Sequence, residues 1–414
     1  MGNSKKSFIC CLILIGCLRG DTLFTVGTSW YDEAKDASIL NSTREVIVLG
    51  RSGLSGMFSS PLLLKFDSSL YLKKYAFIVR NYHIIPSKLL SIDENKIYFS
   101  FVRYHSQNGY EVGVFRLDSS FSVQDSVFIG VDGYPSGPVL TRYNDKIIML
   151  WALIYGEDTT PHISLMDTSS LQTYSQQSPF LPYELIPTSA IEETDTTNLI
   201  GFSGATGINV MRLLKGTTVM SFSTFLPANI YSVNDIIAKY PDGIWVVGST
   251  DYGNPSTHQM FVARLSYDMS SLAGVEYGSQ NPPSTGKSSI SSAFYHVDGN
   301  LYMFGYTSFS GFVPSEDLFL TSFSALTLNW NPSFSFTIGT TEDDYIVKAI
   351  LMGDSVVFVG TTWGNYTNEI PNLIMGKIAL HSYVLPPPFP HLQIQEPATS
   401  SYIEILDYRP GKIP

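Results

Sequence analysis

Three tight groups of carboxylates stand out for the chemistry they could do: Asp32, Glu33 and Asp36; Glu192, Glu193 and Asp195; and Glu342, Asp343 and Asp344. Two carboxylates held on the loops of a rigid scaffold can act as acid and base on a glycosidic bond. Clustered carboxylate oxygens are also the ligands that calcium prefers. The more ordinary use of such residues is to start turns and keep a loop solvated, and that reading is favoured here. A calcium or sugar site on the loop face is the open alternative, and no other cofactor is expected.

A second set consists of aromatic residues in polar loops or just after apolar runs. Trp30, Tyr31, Tyr252, Trp363 and Tyr366 form the predicted ligand-binding set, and Tyr155 lies in a similar setting. An aromatic ring on a loop offers a large contact face at low entropic cost. Packing between neighbouring sheets is the other use for such rings. Trp151 and Trp245 fall inside apolar runs and are expected in the core. The histidines are scattered, and His381 and His391 merely flank a proline tract. No nucleophile elbow, zinc-binding helix motif, phosphate loop or dinucleotide fingerprint is present, so no catalytic residue is assigned.

The elements that must position these side chains are strands. Charged residues make up 15% of the 414 residues and aromatics 13%, with abundant Ser, Thr and Gly. Such a chain suits pleated, half-buried surfaces better than helices. A net charge of −11 with only 25 Lys and Arg works against a nucleic-acid partner, which needs clustered cations.

The first residues read as a targeting signal. Lys5 and Lys6 precede the apolar run Phe8–Leu18, which is too short to span a bilayer. Residues 1–20 are therefore expected to be a signal peptide. "LIGC" within it resembles a lipobox, making Cys17 a candidate for lipidation; cleavage near Gly20 is the rival reading. Cys10, Cys11 and Cys17 are the three cysteines, so no disulfide is expected in the domain that follows. Asn41 and Asn365 each begin a glycosylation sequon.

Seven apolar runs share one pattern: "EVIVLGRS", "KIYFSFVR", "KIIMLWAL", "NLIGFSGA", "GIWVVGST", "NLYMFGYT" and "SVVFVGTT". They recur about every 50 residues, a period typical of propellers and other repeat architectures. Several finish on Gly-x-Thr, where a glycine permits close backbone approach. A weaker strand precedes each run, as in "SVNDIIAKY" and "DYIVKAILM". An alternating strand ending in Asp-Ser-Ser or similar turn residues follows, then a fourth strand.

The expected fold is an all-β, seven-bladed β-propeller of four-stranded antiparallel blades over residues 22–383. The last unit has three strands before "VLPPPFP", and proline cannot join a central ladder. The N-terminal "LFTVG" is expected to supply the missing strand and close the ring. Residues 384–414 read as a Pro-rich linker, with "YIEILDY" as a short strand.

"GIWVVGSTDYGNPSTHQMFVARLSYDMSSL" (243–272) and "SFTIGTTEDDYIVKAILMGDSVVFVGTTWG" (335–364) resemble the SBBP-type repeats of exported and surface β-propellers. That resemblance implies a fold and an exported setting, and it carries no catalytic motif. The function expected is a non-enzymatic binding or scaffold module, monomeric, displayed at a cell surface or secreted, with a protein or glycan partner. A secreted polysaccharide hydrolase or lyase is the alternative, since propellers host such enzymes.

Overall fold

The computed structural model describes residues 22–28, 31–53, 59–78, 83–105, 109–155, 158–178, 184–204, 206–250, 259–277, 287–308, 316–338, 343–363, 371–380 and 391–393. The chain is all-β, as its composition implies; the described residues form strands and no helix. After β1 (Thr22–Gly27), the first sheet runs β2 (Asp32–Leu40), β3 (Glu45–Ser52), β4 (Ser60–Phe66) and β5 (Leu72–Phe77) in chain order. The second runs β6 (His83–Asp93), β7 (Lys96–His105), β8 (Gly109–Leu117) and β9 (Val123–Val131). In the third, β10 (Tyr134–Pro135) and β11 (Val139–Tyr143) both pair with β12 (Lys146–Tyr155), followed by β13 (Asp158–Asp167) and β14 (Thr173–Gln177).

The next two units share a strand. β15 (Ile186–Thr194), β16 (Thr197–Ser203) and β17 (Thr206–Leu214) lead to β18 (Thr218–Lys239), whose first part pairs with β17. The second part of β18 pairs with β19 (Gly243–Thr250), which leads to β20 (Gln259–Leu265) and β21 (Leu272–Tyr277). Two separate strands were expected where β18 is continuous, "SVNDIIAKY" being read as the weaker strand that opens the next unit. A sheet then follows from β22 (Ser288–Tyr295), β23 (Asn300–Ser308), β24 (Glu316–Ser324) and β25 (Trp330–Ile338). The last comprises β26 (Asp344–Met352), β27 (Ser355–Thr362) and β28 (Asn372–Ala379). β1 pairs antiparallel with β28, placing Phe24 opposite Met375. β29 (His391–Gln393), from the segment expected to be a linker, pairs in parallel with β1.

Packing follows the sheets. The apolar clusters each join two units that are consecutive in the chain, and one joins the first unit to the last. In that one, Phe24 and Val26 of β1 meet Leu64 and Phe66 of β4 and Val357 of β27. Trp151 and Trp245 are fully buried, as expected from their runs.

The turns between third and fourth strands repeat one device. The Asp67 carboxylate accepts the Ser69 and Tyr71 amides, and Asp118 accepts those of Ser120 and Ser122. The turn then places a large apolar residue in the left-handed region: Leu70, Phe121, Leu171 and Met269 have φ near 50–63°. That conformation costs roughly 1–2 kcal/mol for a residue with a Cβ. Each of these side chains is buried, which offsets the cost. The Gly-x-Thr glycines are needed for close approach: a Cβ on Gly305 or Gly360 would lie 1.8 Å from Ser289 O or 2.2 Å from Tyr345 O.

Candidate functional site

The strands that begin the sheets carry the polar residues that face a common space. β2, β6, β15, β22, β26 and the second part of β18 each have an irregularity in pairing at the same depth. The residues left out of the ladder are Lys35, Ser87 with Lys88, Thr188, Asn234, Ser291 and Val347. A bulge of this kind re-aims side chains and bends the strand.

Where the residue after the bulge is polar, its side chain reaches to a neighbouring strand. Asp36 accepts the Ala37 amide at 2.9 Å and the Leu89 amide of β6 at 2.8 Å. Asp235 accepts the Ile236 amide at 3.0 Å, the Ala293 amide at 3.1 Å and the Ser292 hydroxyl at 3.1 Å. Lys348 Nζ stands 3.3 Å from the Asp235 carboxylate. Burial disfavours the Lys348 ammonium, but Asp235 and Asp36 outweigh it and hold its pKa above the ordinary lysine value. Ser189 donates to Val233 O at 3.2 Å. These side chains therefore tie strand to strand.

Two cavities lie among the same strands. The lower, of about 420 Å³, takes residues from β2, β6, β11, β15, β18, β22 and β26. Its charged residues are Asp36, Lys88, Arg142, Glu192, Asp235 and Lys348, three of each sign. The upper, of about 550 Å³, lies toward the beginnings of these strands and includes Ile186, Thr188, Tyr345 and Val347. Lys88, Val139, Asn234 and Ser291 line both cavities and so form the waist between them.

An aromatic pair stands at the upper end, between the first and last sheets. Tyr31, just before β2, meets Trp363, just after β27, edge-on with ring centroids 5.7 Å apart. The Trp363 amide donates to Asp343 O at 2.9 Å, and the Gly53 amide donates to Tyr31 O at 2.7 Å. Tyr31 Oη donates to Glu33 at 3.1 Å, and the Arg51 guanidinium lies 5.7 Å from the Tyr31 ring centre. Burial, then the Glu33 charge, holds the Tyr31 phenol above its ordinary pKa. Trp363 is 37% exposed, leaving part of its ring open to solvent.

Of the predicted ligand-binding set, the structure brings Tyr31 and Trp363 together. Trp30, Tyr252 and Tyr366 lie outside the described residues, as do Cys17 and Asn365. Asn41 sits exposed in the β2–β3 turn. Tyr155 is 48% exposed and donates to Asp132 O.

The acidic groups require a correction. They were expected to solvate loops, yet Asp32 and Asp344 are 0% exposed and Asp36 is buried. The buried aspartates of the first group serve backbone amides: Asp32 accepts the Thr28 amide, and Asp36 accepts two. Glu193 forms an ion pair with Arg212 at 2.5 Å, within the packed interior. Asp343 is exposed, and Glu342 lies outside the described residues. Among the described residues, no three His, Cys, Asp or Glu side chains group as metal ligands would. Sequence reasoning passed over Lys88, Asp235 and Lys348, which lie in the weaker strands and come one to a repeat.

Comparison with known proteins gives fold but no family. No family model matches the chain, and no curated protein matches it. Among solved structures it is similar to the polysaccharide lyase Uly1, with 9% identity, a TM-score of 0.51, and coverage of 84% of this chain and 90% of that one. It is similar also to the β-propeller domain of the Trilobed protease from Pyrococcus furiosus, with 12% identity, a TM-score of 0.47, and coverage of 85% and 96%. A Dyadobacter fermentans protein of unknown function aligns at 10% identity and a TM-score of 0.48, over 87% of this chain and 100% of that one. The likeness to the lyase concerns fold alone.

Proposed function

We propose that this chain is an exported, non-enzymatic binding module built as a seven-bladed β-propeller, its ring closed by β1. The ring is supported by the order of contacts among inner strands: β2 lies against β6, β6 against β11, and so on through β15, β18, β22 and β26, which returns to β2. The antiparallel pairing of β1 with β28 supports closure. Lys5, Lys6 and the short apolar run Phe8–Leu18 support export, to a cell surface or the medium.

The observation that carries the binding role is the Tyr31–Trp363 pair. Tyr31 holds Trp363 edge-on where the first and last blades meet, with Arg51, Glu33 and Lys35 close by. A fixed ring with polar neighbours suits a sugar face or a protein side chain.

An array of glycans and of surface proteins, probed with the chain and with Trp363→Ala, tests this reading. The expected result is a ligand recovered chemically unchanged, with binding at least tenfold weaker in the variant. Cleavage of a glycan, or binding indifferent to Trp363, contradicts it.

A further inference from the structure

The upper cavity differs from the lower in its charge. Lys88 is the one charged residue among those that line it. Its ammonium makes no ion pair or hydrogen bond among the described residues, whereas Lys35, the bulged lysine of β2, is paired with Glu33 at 2.5 Å. Three hydroxyls in the same wall, those of Ser87, Ser249 and Ser291, also make no hydrogen bond among the described residues. The rest of the wall includes Val139, Ile186, Pro187 and Ile346, which are apolar. At about 550 Å³ the space falls in the size range of small-molecule sites.

We propose that the upper cavity binds a small hydroxylated carboxylate, anchored by the Lys88 ammonium and oriented by these serine hydroxyls. A cation that makes no ion pair in a partly enclosed space favours an anion there. One lysine balances a single negative charge, which fits a carboxylate better than a phosphate dianion. The free hydroxyls match a ligand with hydroxyls of its own, and the apolar wall accepts its carbon skeleton. The β6 bulge holds Lys88 out of the ladder, its amide donating to Ser100 Oγ at 3.2 Å. The site does not depend on what engages the Tyr31–Trp363 pair.

Calorimetric titration of the purified chain at low salt tests this, using sodium glucuronate, neutral glucose and sodium sulfate as probes. Lys88→Met and Lys88→Gln serve as variants, with their melting temperatures checked against the parent. Saturable binding of glucuronate is expected, at least tenfold tighter than glucose or sulfate and at least tenfold weaker in both variants. No glucuronate binding at millimolar concentration, equal affinity in the variants, or sulfate binding as tightly as glucuronate would overturn the proposal.

Discussion

The two cavities are made by the same strands and differ by one step along them, yet two kinds of charge line them. In the lower cavity, Asp36 and Asp235 are filled by backbone amides, and Lys348 answers Asp235 directly. Lys88, at the waist and the one charged residue of the upper cavity, makes no ion pair among the described residues. A buried charge that is fully partnered holds strands in register, and removing one partner leaves the other exposed to a low dielectric. A cation with no partner contributes nothing of that kind. The contrast separates groups that hold the fold from a group available to a ligand.

The largest expected effect comes from breaking the lower arrangement. Asp235→Ala leaves two buried amides unanswered and takes from Lys348 the carboxylate it pairs with, and should cost about 3–5 kcal/mol. Urea unfolding measures this, and a loss below about 1 kcal/mol would mean that Asp235 is not a structural tie. Lys348→Met should cost less, about 1–2 kcal/mol, because Asp235 keeps its three other donors and 33% of the lysine side chain is exposed.

The same variant sharpens the comparison through pH. The Lys348 pKa is raised in the folded chain, so its contribution is fully present below the ordinary lysine value and fades as pH rises through the folded one. Lys348→Met should therefore flatten the alkaline loss of stability. An unchanged alkaline limb would argue against the pairing. The smallest effect is expected at the upper cavity: Lys88→Met should change stability by no more than about 0.5 kcal/mol. A larger loss would show that Lys88 is a structural residue after all.

Much of the fold could be read from residue patterns. The Gly-x-Thr endings announced a close approach, and Gly305 and Gly360 indeed face backbone oxygens of the inner strands. The Asp-Ser-Ser turns were legible too, since Asp67 and Asp118 bond the amides that follow them. What those turns did not reveal is that Phe121 and Leu171 adopt positive φ, because tertiary burial rather than local preference holds them there. β18 was misread as two strands because a blade boundary without a loop has no turn residues to mark it.

The site was much less legible. Asp36, Asp235 and Lys348 stand at one position of three repeats, visible when "KDASIL", "SVNDIIAKY" and "DYIVKAILM" are aligned after the bulge. One polar residue per repeat carries little signal, and only the arrangement of strands brings the three near each other. The acids near Asp32 were assigned to a solvated loop, whereas Asp32 opens β2 and is buried. Nothing in their local sequence tells that Thr28 and Leu89 would offer amides.

The proposed closure of the ring by β1 can be tested by a bond. β1 and β28 place Thr22 opposite Lys377. Cross-strand partners lie about 4.5–5.5 Å apart at Cα, within disulfide range. Cysteines at these two positions, in a chain with Cys10, Cys11 and Cys17 replaced by serine, should bridge in the folded protein. Closing so long a loop should add roughly 4–5 kcal/mol to stability, lost again on reduction. Two thiols that remain free and reactive in the folded chain would contradict a ring closed by β1.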